Sequence, residues 1–346
     1  MIRPAFLLPF ALLAGVAAAD TLDDIRKSGV LKWGADAVEG GAPYVFLADP
    51  DNPDSRTGFE FDLANAIGRE MGLRVEMVQN AWASLPPGLL RKDYDVVING
   101  LEITPERESE ISFSNPYYIS GEQLTVRADD QSIEDLDDLK GKKVGTLGAT
   151  LAERILNDHG GIDVVSYEAQ NTPYDDLVLG RVDAVLMDTP IAIYFGKPNP
   201  KLKLTGKSVG EAKYGIGIRK EDATLLKAMN AVIDSLAKSG ELRKIYEKWG
   251  LWNVETAAFF GDTRAGEGPS TALEAYNENK KANAEISFKD RLARYWRSLP
   301  SLLSAAWVSL YLSVISMLLA IFLGVTLAVM RQYGPAPLKW LAFMYT

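Results

Sequence analysis

The chain has 346 residues, of which 47% are apolar, enough for two or three packed domains and too many for a disordered polymer. A formal charge of -9, with no basic cluster between residues 20 and 250, argues against nucleic acid as a partner. The absence of cysteine excludes disulfides and a thiol-borne lipid anchor, and a single histidine gives little support to histidine triads or histidine-rich metal sites.

The chain opens on Met1-Ile2-Arg3, a short positive start, followed by an apolar run over 5–16 and by Ala17-Ala18-Ala19 before Asp20. This is the pattern of an export signal over residues 1–19, and Pro4 and Pro9 argue against an ordinary buried helix. Residues 20–252 then alternate β-rich runs with helical patterns. Strands are predicted at 31–36, 74–79, 95–99 and 143–147, and helices at 61–71, 85–91 and 151–158. Such alternation predicts α/β units with largely parallel sheets. The order begins again after 124–126, so two lobes are expected, one from 20–126 with 211–252 and the other from 127–210. Helices at 223–238 and 241–249 close this part, divided by Ser239-Gly240.

Residues 253–287 turn polar and rich in Gly, Ala and Glu, the composition of a linker. Residues 288–298 read as an amphipathic helix lying against lipid headgroups. Between Arg297 and Arg331 no charge occurs, and the apolar heart at 302–330 exceeds the roughly 30 Å of bilayer hydrocarbon at about 1.5 Å per residue, so a transmembrane helix is predicted. Ser309, Ser313, Ser316, Ala320 and Gly324 make one smooth stripe along it, suited to close approach by other membrane helices. Counting Lys289, Arg291, Arg294 and Arg297 against Arg331 and Lys339 puts the N-terminal side inside. An export signal overrides that count and places the soluble part outside. Gly334-Pro335-Ala336-Pro337 prepares a return to the bilayer, but 338–346 is too short to cross it. Residues 299–346 therefore read as the truncated start of a larger membrane domain.

Ligand sites in open α/β sheets lie beyond the carboxyl ends of the strands, which points to the loops after Gly34, Asn99, Leu147 and Met187 and to the cleft between the lobes. Arg107 carries a guanidinium fork able to grip a carboxylate through two parallel hydrogen bonds, or to pair on the surface with Glu106 or Glu110. Asp188 follows an apolar run and stands at a strand mouth, where it can accept an ammonium or cap a helix. Thr150 opens the helix at 151–158, and Ala149 to Leu151 can aim N–H groups and a hydroxyl at an anion, or cap that helix. His159 sits at a helix end, where a dipole contact is the plainer reading, and the acidic turn 49–60 lacks the glycine a calcium loop needs. No Gly-x4-Gly-Lys-Ser/Thr loop is present, so ATP is left to a separate subunit. No placed acid–base pair supports catalysis, and no cofactor is implied.

Several segments, in this order and spacing, resemble the polar-amino-acid binding proteins of solute-binding family 3. They include Gly58-Phe59-Glu60-Phe61-Asp62-Leu63-Ala64, Thr104-Pro105-Glu106-Arg107, Phe113-Ser114-Asn115-Pro116-Tyr117-Tyr118, Asp138-Leu139-Lys140-Gly141-Lys142-Lys143-Val144-Gly145 and Glu247-Lys248-Trp249-Gly250. The resemblance covers about residues 22–252 and implies the two-lobed α/β periplasmic-binding-protein fold, type II. From Leu299 onward the chain also looks like the start of an amino-acid ABC permease subunit. Together these imply a non-catalytic receptor held at the cytoplasmic membrane, its binding domain outside. Its expected partners are a small solute, an ABC ATPase and a permease partner or second copy.

In the family, the counterpart of Arg107 grips the ligand's α-carboxylate, the position of Trp82 forms an apolar or aromatic wall, and the loop holding Asp36 and Glu39 often meets the cationic end. The sequence departs from that pattern two residues after Gly100, where Ser or Thr is usual and Glu102 stands. A carboxylate there repels another. Either Glu102 turns away to pair with Arg107, or the ligand differs from a standard α-amino acid. Asp36, Glu39, Glu102 and Asp188 against one Arg107 lean toward a basic or polyhydroxylated amino compound. The same fold also serves dehydratases and ligand-sensing receptors, which are the rival readings. Closure of the lobes about a hinge near Val126 and Gly210 is expected on binding.

Overall fold

The computed structural model describes residues 20–37, 41–49, 52, 54–262, 271–272, 274–275, 277–278, 288–335 and 337. The expected export signal at 1–19, Glu39, much of the expected linker and the segment after Pro337 lie outside them. The chain forms two compact units, Met1–Asn277 and Glu278–Thr346.

Among its described residues the first unit holds twelve strands: β1 Val30–Ala35, β2 Phe46–Leu47, β3 Arg56–Thr57, β4 Arg74–Gln79, β5 Val96–Val97, β6 Ser112–Phe113, β7 Tyr118–Arg127, β8 Lys143–Leu147, β9 Asp163–Tyr167, β10 Ala184–Asp188, β11 Leu202–Tyr214 and β12 Gly217–Ile218. One sheet runs β4-β1-β5-β12-β6 and a second β11-β7-β10-β8-β9, while β2 and β3 form a small hairpin. Each sheet is mixed. β4, β1 and β5 are parallel, but β12 runs antiparallel to β5 and β6; β9, β8 and β10 are parallel, but β7 and β11 run antiparallel. The expectation of largely parallel sheets fails on the strands that carry the chain from one sheet to the other, because a returning strand adds antiparallel to the edge it reaches.

The same strands move the lobe boundary. β7 pairs with β10 and β11 along its length, so residues 118–127 belong to the second sheet and not, as expected, to the first lobe. The chain crosses between Tyr117 and Tyr118 and returns at Tyr214, where Tyr117 N donates to Tyr214 O at 2.9 Å. The two crossings therefore lie side by side there, away from the expected positions near Val126 and Gly210.

Helices form where apolar spacing and caps agree. Ala223–Lys238 buries Leu225, Met229, Val232, Ile233 and Leu236, one face of a 3.6-residue repeat. Phe59–Met71 buries Phe59, Leu63, Ala66 and Ile67 and stops at Gly72, whose φ of +67° allows the left-handed cap. Leu31 and Trp33 of β1 join these side chains in the first core, and Leu124, Val126, Val144, Ala184 and Leu186 make a separate core under the second sheet.

The expected linker begins too early. Residues Val254–Phe259 form a helix docked on β7: Thr256 Oγ1 donates to Ile119 O at 2.9 Å and accepts from Ile119 N at 3.1 Å, and Asn253 Oδ1 accepts from Thr256 N at 2.7 Å. Their polarity misled because Asn253 and Thr256 spend it on backbone groups in the interior.

The second unit contains one 46-residue helix, Phe288–Tyr333, where two separate helices were expected; Pro300 lies inside it. Its Ala306–Tyr333 portion, in which an 18-residue window reaches a mean hydropathy of 2.6, is long and apolar enough to cross a membrane. Ser313 and Thr326 turn their hydroxyls onto the carbonyls of Ser309 and Phe322 at 2.8 and 2.7 Å, and Leu318, Leu319 and Phe322 are exposed. Self-satisfied hydroxyls and outward apolar side chains suit an apolar solvent.

Candidate functional site

The candidate residues gather where the two sheets face each other. β1 leads into Asp36, whose Oδ1 accepts from Gln79 Nε2 at 2.9 Å and whose Oδ2 accepts from Trp82 N at 3.0 Å. Asp36 thus positions Trp82. Trp82 reaches across to the second lobe, its Nε1 donating to Gly148 O at 3.3 Å, and its ring lies 5.4 Å from the Arg107 guanidinium.

Gly100 turns the chain after β5 with φ +60°, and a Cβ there would meet the Tyr44 ring at 2.7 Å. Its N–H donates to Glu60 Oε1 at 2.7 Å. The turn delivers Glu102, whose side chain is 2% exposed, into the cleft. Thr104 caps the helix Pro105–Glu110 through the Arg107 N–H, and this aims Arg107 back at Glu102. Arg107 Nη1 pairs with Glu102 Oε2 and donates to Glu102 O at 2.9 Å, while Nη2 donates to Ala149 O at 2.7 Å.

From the other lobe, β8 leads into Ala149, held at φ +60°, and the helix Leu151–His159. Leu151 N donates to Glu102 Oε1 at 2.9 Å. Thr150 acts as the helix cap, its Oγ1 accepting from Glu153 N at 3.3 Å and donating to Leu147 O at 2.7 Å, while Glu153 accepts from Ala149 N at 2.7 Å. Of the two readings of Thr150 the geometry occupies the capping one. For Glu102, it occupies the pairing with Arg107.

Asp188 ends β10 at the same place. Its Oδ2 accepts from Tyr44 at 3.1 Å and from Tyr214. Directly opposite it on β7 stands Glu122, which the sequence reading missed. The signal was there in the alternation of Tyr118, Ser120, Glu122, Leu124 and Val126, all buried, which puts Glu122 on the inward face. Tyr44 and Tyr214 were missed as well, since nothing local distinguishes them from core tyrosines.

Carboxylate oxygens of Glu102, Glu122 and Asp188 lie within 4.8 Å of one another and could be offered jointly to a cation. Burial, then the neighbouring Glu102 charge, pushes Asp188 up to about 6, against the lowering effect of the two tyrosine hydroxyls. Burial first, with the Asp188 and Glu102 charges adding, raises Glu122 well above the carboxylate range. No donor among the described residues reaches either Glu122 oxygen, and Asp188 is the hydrogen-bonding group beside it. The cleft thus offers a closed Arg–Glu pair, an aromatic face and an acidic pair short of donors.

Two α/β lobes joined by a double crossing and facing each other over a polar cleft define the periplasmic-binding-protein fold. Solved structures share it: the P235GK mutant of ArgBP from T. maritima, at TM-score 0.60 and 34% identity, covers 66% of this chain and 98% of its own. The ancestral amino acid-binding protein AncCDT-1, described as a precursor of cyclohexadienyl dehydratase, matches at TM-score 0.61 and 32% identity over 66% of this chain and 99% of its own. The chain belongs to the bacterial extracellular solute-binding proteins, family 3, which it matches over residues 36–251. Among curated relatives, the L-cystine-binding protein TcyJ of Escherichia coli (strain K12) is 34% identical over 70% of this chain and 92% of that protein. The lysine/arginine/ornithine-binding periplasmic protein of the same strain is 33% identical over 72% and 97%.

Proposed function

We propose that this chain binds an amino acid or a related small polar solute outside the cytoplasmic membrane and passes it to an ABC importer permease whose first helix it carries. The observation that supports this most is the convergence of Arg107, Trp82 and Glu102 of one lobe with Ala149, Leu151 and Asp188 of the other. Groups from both lobes on one solute give a ligand its differential affinity for the closed arrangement. The helix at 306–333 would hold the receptor beside its pore and raise its local concentration there. ATP hydrolysis falls to a separate subunit. A thermal-shift screen of the full chain in detergent against amino acids and amines, repeated with Arg107→Ala, tests the binding step. Stabilisation by one class that the variant loses is expected, and no shift with any compound would sink the reading. Co-purification of an ABC ATPase with the protein extracted from membranes tests the transport step.

An enzyme of the same fold is the second reading, favoured by the raised Glu122 carboxyl in the cleft and by the likeness to a dehydratase precursor. Product formation from a bound solute, lost in Glu122→Gln, would establish it.

A further inference from the structure

We infer that the solute taken here is an organic amine bearing no free carboxylate, because Glu102 of the protein already fills the seat a ligand carboxylate would need. This rests on the binding reading above and narrows its substrate class.

A carboxylate seeks a guanidinium and a free helix N-terminal amide converging on one point. Both are present, and both go to Glu102: Leu151 N donates to Oε1 at 2.9 Å and Arg107 pairs with Oε2. Arg107 Nη2 donates to Ala149 O at 2.7 Å. A second carboxylate in that seat would confront Glu102 with one guanidinium between them.

The capacity left over in the cluster is of the opposite kind. Glu122 is fully buried, stands opposite Asp188 across the ladder, and receives no donor among the described residues at either oxygen. What completes Glu122, Asp188 and Glu102 is a positively charged group rich in N–H donors, which an ammonium supplies. A divalent metal suits the site less well. It seeks six or more oxygens, Asp188 is already committed to Tyr44 and Tyr214, and Arg107 competes for Glu102.

Pairs of compounds differing only in the α-carboxylate provide the test: agmatine against arginine, and putrescine against ornithine, titrated calorimetrically into the full chain in detergent. The native protein is expected to bind the decarboxylated member at least roughly 10-fold more tightly, the least that one missing charge-assisted contact produces. Glu102→Ser, which opens the seat, should reverse that order. Glu102→Gln keeps the volume and should narrow the preference, so it replaces the serine variant if circular dichroism shows the latter unfolded. Glu122→Gln should weaken agmatine binding roughly 10- to 100-fold with an unchanged dichroism spectrum. Tighter native binding of the amino acids would overturn the inference and leave the binding reading standing. Heat from Ca²⁺ or Mn²⁺ alone would overturn it in favour of a metal site. Heat from neither series nor from any other amino acid would overturn both.

Discussion

Two fully buried glutamates, one in each lobe, divide structural burial from functional burial. Glu60 accepts from Gly100 N at 2.7 Å and from Tyr117, so one of its oxygens is used to hold the Gly100 turn inside the first lobe. Glu122, equally buried, meets no donor among the described residues and faces two other carboxylates. Burial raises both, Glu60 to about 8. An acid whose partners lie within its own lobe serves the fold. One that faces two other acids costs the fold stability unless something from outside supplies the missing donors.

The largest effect should come from Arg107→Ala, which leaves Glu102 buried without its counter-charge. Breaking a buried pair costs up to about 5 kcal/mol, and the partial exposure of Arg107 puts the expected loss near 3 kcal/mol, readable by denaturant unfolding, with solute binding lost as well. An unchanged midpoint would mean that Glu102 finds other donors.

Next is pH. Because the folded-state value of Glu60 lies above its ordinary 4.5, the native protein holds a proton that the unfolded chain has released between about pH 4.5 and 8. Its contribution is therefore complete below about 4.5 and is lost as pH rises toward 8, a fall of about 4–5 kcal/mol. Asp188 acts with the same sign between 3.8 and about 6. Glu60→Gln should flatten the slope of unfolding free energy between pH 5 and 8, and a slope unchanged by it would remove Glu60 from the comparison.

Glu122→Gln sharpens the contrast. It removes an acid that repels its neighbours, so at pH 8 stability should rise by about 1–2 kcal/mol while solute affinity falls. A loss of stability would place Glu122 with the structural acids. The smallest effect belongs to Arg154→Ala, which breaks the exposed cross-lobe pair with Glu106 at 3.0 Å; a shift of the denaturant midpoint at the edge of detection is expected, vanishing in high salt.

Local pattern made the strand–helix alternation legible, since β4 and β8 and the helix Ala223–Lys238 lie where 2- and 3.6-residue periods place them. It also made legible an apolar run at 302–330, which overlaps the apolar helical stretch Ala306–Tyr333, and the motif order made Arg107, Trp82 and Asp188 candidates. What it could not supply was pairing. The lobe boundary fell at Tyr117 and Tyr118 because β7 adds to the second sheet, a non-local choice. Residues 254–259 joined the folded unit because Thr256 found Ile119, more than a hundred residues away in sequence. Glu102 was visible as a departure from its family, with its direction open; only the meeting of two lobes gave it the Leu151 amide and the Arg107 guanidinium. Glu122 lay on a legible inward face, but its confrontation with Asp188 depended on the register of β7 against β10. Periodicity is a property of neighbouring residues and is written in the chain, whereas an electrostatic environment is the sum over groups that only the tertiary fold brings within a few ångströms.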